Sequence, residues 1–332
     1  MVFSWHFVTI NDLHLASASV IPLSLLTEGH TGVALFMTLS GYLFAKLIDG
    51  KTINYPSFLW NRALRLLPLL IVVVVIVGFR DYFNQGEYLA YFKRILLGFV
   101  TPDLPNGGWS ITTEFHFYLI LPALLYVSRR STRPLLFLVL AAVLIRWLIF
   151  HYRGEIHSLS YWTIVGRFDQ FVFGIAAYQY RDFFQKRHFL ALSVFIAFSV
   201  FYWYFEHLGG FFLNPSYPSP SPVWIIMTTC EGLAYGILIA WYDNSFKHST
   251  GPVSRFIALI GAYSYSIYLL HFFFYSALAG FVDRHVVSLS NVYVALLFAP
   301  VAFLVMIPIS YLSYRFIEFP FLKFRTSYIK KE

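Results

Sequence analysis

Long apolar runs recur along the whole chain and are separated by short polar or basic connections. Runs of about 17–25 residues are typical of helices that cross a bilayer. The pattern predicts an all-α fold, a polytopic transmembrane helical bundle with nine full spans. These spans cover residues 31–48, 63–79, 109–127, 134–150, 161–179, 189–206, 222–241, 256–280 and 292–314. Residues 1–10 are apolar but too short to cross a bilayer, and we interpret them as the outer part of a first helix.

The composition supports a membrane protein. Of the 332 residues, 58% are hydrophobic and 12% are charged, whereas soluble domains have about 25% charged residues. Most of the 24 Lys and Arg residues lie in alternate connections, and such an excess marks the cytoplasmic side. The C-terminus is therefore predicted to be cytoplasmic. We expect one integral-membrane domain, residues 1–325, and a basic cytoplasmic tail, residues 326–332.

The net charge of +8 raises the question of nucleic-acid binding. The basic residues are spread over separate connections rather than gathered in one patch, so no nucleic-acid partner is expected. The histidines are scattered without the spacing of metal ligands, so no metal site is predicted.

A carboxylate lies inside the third predicted span. Glu114 follows a turn at Gly107-Gly108, within a run that continues as apolar sequence. A charged side chain at bilayer depth costs about 2.5–3.5 kcal/mol, so it usually faces a protein interior or a wet cavity. On a helix, Ser110, Glu114 and Tyr118 share one face. Glu114 is thus a candidate functional residue, with a structural tie between two helices as the alternative.

Two histidines in predicted membrane segments are candidates, whereas a third, His116, points away from the face of Glu114. His6 could act as a general base or proton relay, with a satisfied buried histidine as the alternative. His271 shares a helical stripe with Ser264 and Tyr268, and this second intramembrane histidine favours a polar cavity.

Two arginines begin a helix on the predicted cytoplasmic side. Arg62 and Arg65 are three residues apart and share a face. Paired guanidinium groups suit a ligand that carries phosphate. Topology anchoring or contact with lipid headgroups is an equally good interpretation.

Local spacing also predicts how some helices pair. The small residues Ser40-Gly41 are expected to allow a close helix approach. Arg167 and Asp169 are two apart and diverge, so each needs a partner on another helix. Arg315 and Glu318 are three apart and are expected to form a local ion pair.

Seven short motifs, in their shared order, resemble the acyltransferase-3 family of integral-membrane acyltransferases, which O-acylate surface polysaccharides and have ten helices. The motifs are Trp-His-Phe (5–7), Leu-Phe-Met-Thr-Leu-Ser-Gly-Tyr-Leu (35–43), Arg-Ala-Leu-Arg-Leu-Leu-Pro (62–68), Trp-Ser-Ile-Thr-Thr-Glu-Phe-His-Phe-Tyr (109–118), Gly-Arg-Phe-Asp-Gln-Phe (166–171), Ser-Tyr-Ser-Ile-Tyr-Leu-Leu-His (264–271) and Phe-Ile-Glu-Phe-Pro (316–320).

The resemblance implies roles for single residues. His6 matches the catalytic histidine of the first helix, and Glu114 matches the family's acidic residue. Arg62 and Arg65 match a basic motif thought to meet acyl-CoA, although Asn61 stands where a further basic residue often precedes it. The family's arginine upstream of the histidine would precede Met1, so we expect an N-terminally shortened chain. The resemblance is to stand-alone members without a fused extracytoplasmic domain.

The implied reaction moves an acyl group, most simply acetyl, from cytoplasmic acyl-CoA to a hydroxyl of an extracytoplasmic carbohydrate. The acceptor would be a polysaccharide, lipopolysaccharide, exopolysaccharide or lipid-linked sugar. Acetyl-CoA would be a co-substrate, with no bound cofactor and with membrane lipids as the other partners. The residues expected to line the acceptor side are Trp109, Tyr118, Arg167, Tyr268 and His271.

Two other classes stay open. A proton-coupled transporter or flippase of a sugar-containing or small solute would also bury Glu and His residues, although no inverted repeat is visible. An inactive scaffold is the third interpretation.

Overall fold

The computed structural model describes residues 1–9, 20–85 and 88–331. Within them most of the chain is helical, and the strands are two short segments. The α-helices are α1 (Val2–Thr9), α2 (Ser24–Thr27), α3 (Thr31–Ile48), α4 (Tyr55–Gln85), α5 (Tyr88–Leu97), α6 (Trp109–Arg130), α7 (Arg133–Arg153), α8 (His157–Trp162), α9 (Ile164–Gln179), α10 (Arg181–Phe184), α11 (His188–His207), α12 (Gly210–Leu213), α13 (Met227–Ser245), α14 (Pro252–Ala262), α15 (Ser264–His285), α16 (Val292–Ser313) and α17 (Phe319–Leu322).

Four short elements complete the described chain. A 3₁₀ turn spans Pro222–Ile225 before α13, and a π-helical turn spans Tyr314–Glu318 after α16. Strands β1 (Lys51–Ile53) and β2 (Ile329–Lys331) form an antiparallel pair.

The predicted all-α membrane bundle is confirmed, but the number of nine spans is not. Among the described residues, 7 helices are long and apolar enough to cross a membrane. They are α3, α4, α6, α7, α11, α15 and the continuous run from α16 to α17. The predicted span 161–179 is broken at Thr163, whose extended backbone and side-chain oxygen cap α9. The predicted span 222–241 starts as the 3₁₀ turn rather than as a helix.

The described chain forms two compact units. The first unit contains Met1–Leu47, His116–Lys247 and Ser288–Leu297, and the second contains Ile48–Phe115, His248–Val287 and Phe298–Glu332. In the first unit, α9 packs against α7, α8 and α13. Ten of its 16 residues are buried, and these include charged ones.

Two buried ion pairs connect α9 to its neighbours. Arg146 on α7 donates through Nη2 to Asp169 at 2.7 Å, and Arg167 donates through Nη1 to Glu231 on α13 at 3.3 Å. All four side chains are buried. The prediction that Arg167 and Asp169 have partners on other helices is confirmed. Removing one partner of such a pair costs about 3–5 kcal/mol, so the pairs hold three helices in one arrangement.

Helices α3 and α9 cross with their backbones in contact. A Cβ atom at Gly41 would collide with the backbone of Phe171, and one at Gly174 would collide with the carbonyl of Thr38. Since only glycine leaves room at both positions, the close approach predicted at Ser40-Gly41 is confirmed.

In the second unit, α4 packs against α5, α15 and α17. The start of α4 follows β1, which pairs with β2 in the register Lys51 to Lys331 and Ile53 to Ile329. The last described residues of the chain are therefore fixed beside the first turns of α4.

The expected ion pair between Arg315 and Glu318 is wrong. Glu318 accepts from Arg65 Nη1 at 2.5 Å and from the Ser266 hydroxyl. Arg315 lies over the ring of Phe319 instead. The π-helical turn at Tyr314–Glu318 explains the difference, because its wider turn removes the i, i+3 neighbour relation of an α-helix.

The glycine crossing predicts a stability loss. Gly174→Ala is expected to lower the unfolding temperature of the detergent-purified protein, because overpacking costs about 1–3 kcal/mol and here the obstacle is backbone. The matched control is Gly261→Ala on α14, where an added Cβ meets nothing within 4 Å. The control is expected to leave the unfolding temperature unchanged or slightly raised. Equal unfolding temperatures for Gly174→Ala and the wild type would contradict the close crossing.

Candidate functional site

Helix α1 carries His6 in the first unit. Phe3, Trp5 and Phe7 on this helix are buried, whereas His6 is half-buried. The Thr9 hydroxyl donates to the carbonyl oxygens of Trp5 at 3.0 Å and His6 at 3.2 Å. It thereby satisfies carbonyls that the end of a short helix leaves without helical partners. His6 thus retains partial exposure on a helix whose aromatic side chains are enclosed.

Two glycines bring α1 against the start of α3. A Cβ at Gly29 would collide with the carbonyl of Met1, and one at Gly32 would lie 3.0 Å from the Val2 side chain. The backbone at residues 29–32 therefore supports the beginning of α1 directly. The position of His6 depends on this contact.

A cage of aromatic rings surrounds the imidazole of His30, just before α3. His30 is buried, and the ring centroids of all cage members lie between 5.0 and 6.3 Å from its own. The cage consists of Trp5, Tyr161, Tyr202, Phe205, Phe211 and Trp224. Since Trp5 adjoins His6, the cage also holds the candidate catalytic helix.

Glu28 lies beside His30 in the same buried environment. His30 Nε2 is 3.2 Å from Glu28 Oε2, although the angle is not that of a hydrogen bond, and neither His30 nitrogen has a hydrogen-bond partner among the described residues. Both carboxyl oxygens of Glu28 accept from the Phe211 N–H at 3.3 Å. Burial raises the pKa of Glu28 to about 8, although the Phe211 N–H acts in the opposite direction. Burial lowers the pKa of His30 to about 3.

Glu28 and His30 were not among the site residues predicted from the sequence. Both fall within residues 11–30, which the spans left as an outer loop. The available signal was a Glu-Gly-His sequence directly before an apolar run. Residues 11–19 of that loop lie outside the described residues.

Arg167 is the centre of a buried network that reaches the cage. Its Nε donates to the Tyr161 carbonyl at 2.8 Å, and its guanidinium lies over the Tyr161 ring. Glu231, its ion-pair partner, also accepts from Gln170 Nε2 at 2.8 Å and from the Tyr202 hydroxyl at 2.6 Å. The predicted role of Arg167 at an acceptor stays a prediction, and in this structure it joins α9 to cage residues.

Tyr118, on α6, also belongs to the first unit. It is buried, and its ring lies 5.6 Å from that of Phe44 in an edge-on arrangement. Its predicted contact with an acceptor stays a prediction.

The second unit contains Trp109, Glu114, Tyr268 and His271. Trp109, Glu114 and His271 are buried. The Tyr268 hydroxyl donates to the Gly107 carbonyl at 3.0 Å, so the turn that begins α6 is attached to α15. His271 Nδ1 lies 2.5 Å from the Tyr268 carbonyl, within the same helix.

Arg62 and Arg65 lie near the start of α4 in the second unit. Arg65 is held by Glu318 and by the carbonyl of Ala262, to which its Nη2 donates at 3.2 Å. Arg62 lies over the ring of Phe58, with 5.6 Å between its Cζ and the ring centroid. The charge of Arg65 is thus compensated by a carboxylate.

The predicted site residues therefore divide between the two units. His6, Tyr118 and Arg167 belong to the first unit, and the remaining six belong to the second. The six are Arg62, Arg65, Trp109, Glu114, Tyr268 and His271.

Long apolar helices with buried, paired charges define this chain as a multi-pass helical membrane protein. The family described as "Acyltransferase domain", the acyltransferase-3 family, matches residues 1–315. The chain belongs to this family, and nearly all of the helical region forms its acyltransferase domain.

Several named proteins are similar to the chain. "Putative O-acetyltransferase SAR0937" of Staphylococcus aureus strain MRSA252 is 26% identical over 361 residues, which cover 92% of this chain and 56% of the relative. "Nodulation protein 10" of Rhizobium leguminosarum bv. viciae is 29% identical over 144 residues, 36% of this chain and 39% of the relative. The chain thus spans about half the length of the staphylococcal relatives. No solved structure matches it significantly.

Substitution of Glu28 should change how stability depends on pH. The raised pKa means that folded Glu28 keeps its proton where the unfolded chain has lost it. Its contribution to stability is complete at low pH and is lost as the pH rises through about 8. Glu28→Gln lacks this loss, so its unfolding temperature minus that of the wild type should increase from pH 5.5 to pH 8.5.

The control removes an exposed carboxylate of the same unit, Asp182. Asp182→Asn is expected to give a pH profile of unfolding temperature parallel to that of the wild type. A parallel profile for Glu28→Gln would show that Glu28 is ionised in the folded protein.

Proposed function

We propose that this protein is a membrane-bound O-acyltransferase of a bacterial inner membrane, with a cytoplasmic C-terminus. It transfers an acyl group, most simply acetyl, from cytoplasmic acyl-CoA to a hydroxyl of an extracytoplasmic carbohydrate. The observation that carries the proposal is the match of an acyltransferase domain to residues 1–315. The name of the staphylococcal relatives supports O-acetylation.

The geometry of the first unit supports His6 as the general base. Its helix is supported by the backbone at Gly29 and held through Trp5 in the aromatic cage, while the imidazole remains half-exposed. A base held this way meets the requirement that a catalytic group be positioned by its surroundings rather than by the substrate. A well-positioned base typically contributes about 10²–10⁴-fold in rate.

The chemistry of the step follows from an imidazole and a thioester. His6 accepts the proton of the acceptor hydroxyl while the oxygen attacks the thioester carbonyl carbon. The carbon–sulfur bond then breaks, and the CoA thiolate leaves with the proton that His6 returns. The products are an ester and free CoA, and the imidazole ends neutral as it began.

Glu114 enters the proposal as the second catalytic residue, the acidic residue that matches the family's motif. It is buried, and acids inside membrane segments are functional candidates because burying their charge is costly.

The two substrates have chemically distinct requirements. Arg62 and Arg65 would hold the phosphates of acyl-CoA, since guanidinium groups match phosphate oxygens. Trp109, Tyr118, Arg167, Tyr268 and His271 would contribute to the acceptor side through aromatic faces and hydrogen bonds.

The test uses His6→Ala in the purified full-length protein. With acetyl-CoA and a bacterial surface polysaccharide, the wild type should release free CoA thiol and gain an ester on the glycan. His6→Ala is expected to lose at least the about 10²-fold contribution of a general base, with normal membrane insertion and unfolding temperature.

His285→Ala is the control, because His285 is an exposed histidine at the end of α15. It should release CoA at the wild-type rate. Full activity of His6→Ala would refute the role of His6. If wild-type proteoliposomes take up labelled sugar and form no ester, the enzyme interpretation is refuted and the transporter interpretation is supported.

A further inference from the structure

The described end of the chain forms a strap, residues 324–331, along the start of α4. Its final residues pair as β2 with β1, and the Asn54 N–H donates to the Tyr328 carbonyl at 2.8 Å. The Tyr328 ring meets the Phe58 ring edge-on at 5.6 Å. The strap is therefore bound along its length, although the tail was expected only as a basic cytoplasmic segment.

Two further attachments flank Arg325. Trp60 Nε1 donates to the Phe324 carbonyl at 3.3 Å. Asn61 Nδ2 donates to the Thr326 carbonyl at 2.7 Å, and Asn61 Oδ1 accepts from the Thr326 N–H at 3.0 Å. Asn61 is buried, whereas Thr326 is exposed, and the two bonds between them are partly buried. Arg325 is thus held beside Trp60 and Asn61, the residues directly before Arg62.

The strap brings a third guanidinium to the pair at the start of α4. Partial burial and then the positive charges of Arg62 and Arg65 lower the pKa of Arg325, while Tyr314 and Tyr328 act in the opposite direction. Like charges that lie close together destabilise the folded protein. Glu318 compensates Arg65, but no described residue forms an ion pair or hydrogen bond with the Arg325 side chain.

A fixed group of cations with one uncompensated member is typical of a site for a phosphate-bearing ligand. Arg65 already donates to Glu318 and to the Ala262 carbonyl. Arg62 and Arg325 would therefore contact the anion directly, and Arg65 would add its positive charge to the site.

We propose that Arg325, on the strap, forms with Arg62 and Arg65 a binding site for the phosphate groups of a nucleotide-containing ligand. This inference rests on the proposed function for the identity of the ligand, the nucleotide end of acyl-CoA. The same chemistry would also suit the phosphate of an anionic lipid headgroup, and the experiment separates the two sources.

The experiment measures binding of free CoA and of pantetheine, which lacks every phosphate, to the purified full-length protein in phosphatidylcholine nanodiscs. Arg325→Gln is expected to weaken CoA binding about 10-fold or more, the scale of one hydrogen bond to a charged group. Pantetheine binding should not change. Arg325→Lys should recover part of the loss, because it restores charge but not the planar fork.

Two controls separate the site from general surface charge. Lys323→Gln removes an exposed positive charge two residues away, above the Phe319 ring, and should leave CoA binding unchanged. Asn61→Leu changes no charge but removes both bonds to Thr326, so it should weaken CoA binding as Arg325→Gln does. Equal losses for Lys323→Gln and Arg325→Gln would overturn the proposal in favour of unspecific attraction.

A lipid headgroup is tested in nanodiscs of phosphatidylcholine with and without phosphatidylglycerol. If Arg325→Gln leaves CoA binding intact but abolishes a stabilisation by phosphatidylglycerol, the nucleotide site is refuted and the strap binds lipid. The binding assay does not depend on catalysis. Loss of CoA binding in Arg325→Gln would support the phosphate site even if no acyl transfer were detected. If Arg325→Gln is active and its CoA affinity and KM are unchanged, the phosphate site is refuted and the proposed function stands.

Discussion

Charged side chains buried in a helical membrane protein persist because each has an opposite charge within reach. The Arg146–Asp169 and Arg167–Glu231 pairs meet this condition in the first unit. Leaving one charge alone would cost several kcal/mol, so helices α7, α9 and α13 have few alternative arrangements. This constraint determines where the other polar groups of the unit lie.

The polar network and the aromatic cage share residues. Glu231 accepts from Tyr202, and Arg167 donates to the carbonyl of Tyr161, and both tyrosines surround His30. Trp5 of α1 completes this cage, which connects the helix of His6 to the buried charges through direct contacts. The helix of the candidate base is therefore linked, through rings that it shares with the cage, to the paired charges of the same unit.

Much of this arrangement follows from local sequence properties. Apolar length predicts the long helices, the divergence of Arg167 and Asp169 predicts partners elsewhere, and small residues predict the crossing at Gly41. These properties depend on neighbours within a turn or two.

Contacts between distant segments were not predictable in the same way. Glu28 accepts a hydrogen bond from the N–H of Phe211, 183 residues away. The sequence around Glu28 does not indicate this contact. Arg65 pairs with Glu318 across 253 residues, and a π-helical turn removed the expected local partner of Glu318. The attachment of the strap to Asn61 likewise has no signal in the hydrophobic pattern. The substrate roles of the site residues stay predictions.

The central claim is acyl transfer from a cytoplasmic donor to an acceptor on the other side of the membrane. The most direct measurement uses sealed proteoliposomes of the full-length wild-type protein, with acetyl-CoA labelled on the acetyl carbon on one side and a bacterial surface polysaccharide on the other. The account predicts label in an alkali-labile ester on the polysaccharide and free CoA retained on the donor side. Free CoA without labelled ester, or labelled ester only when both substrates share one side, would contradict it.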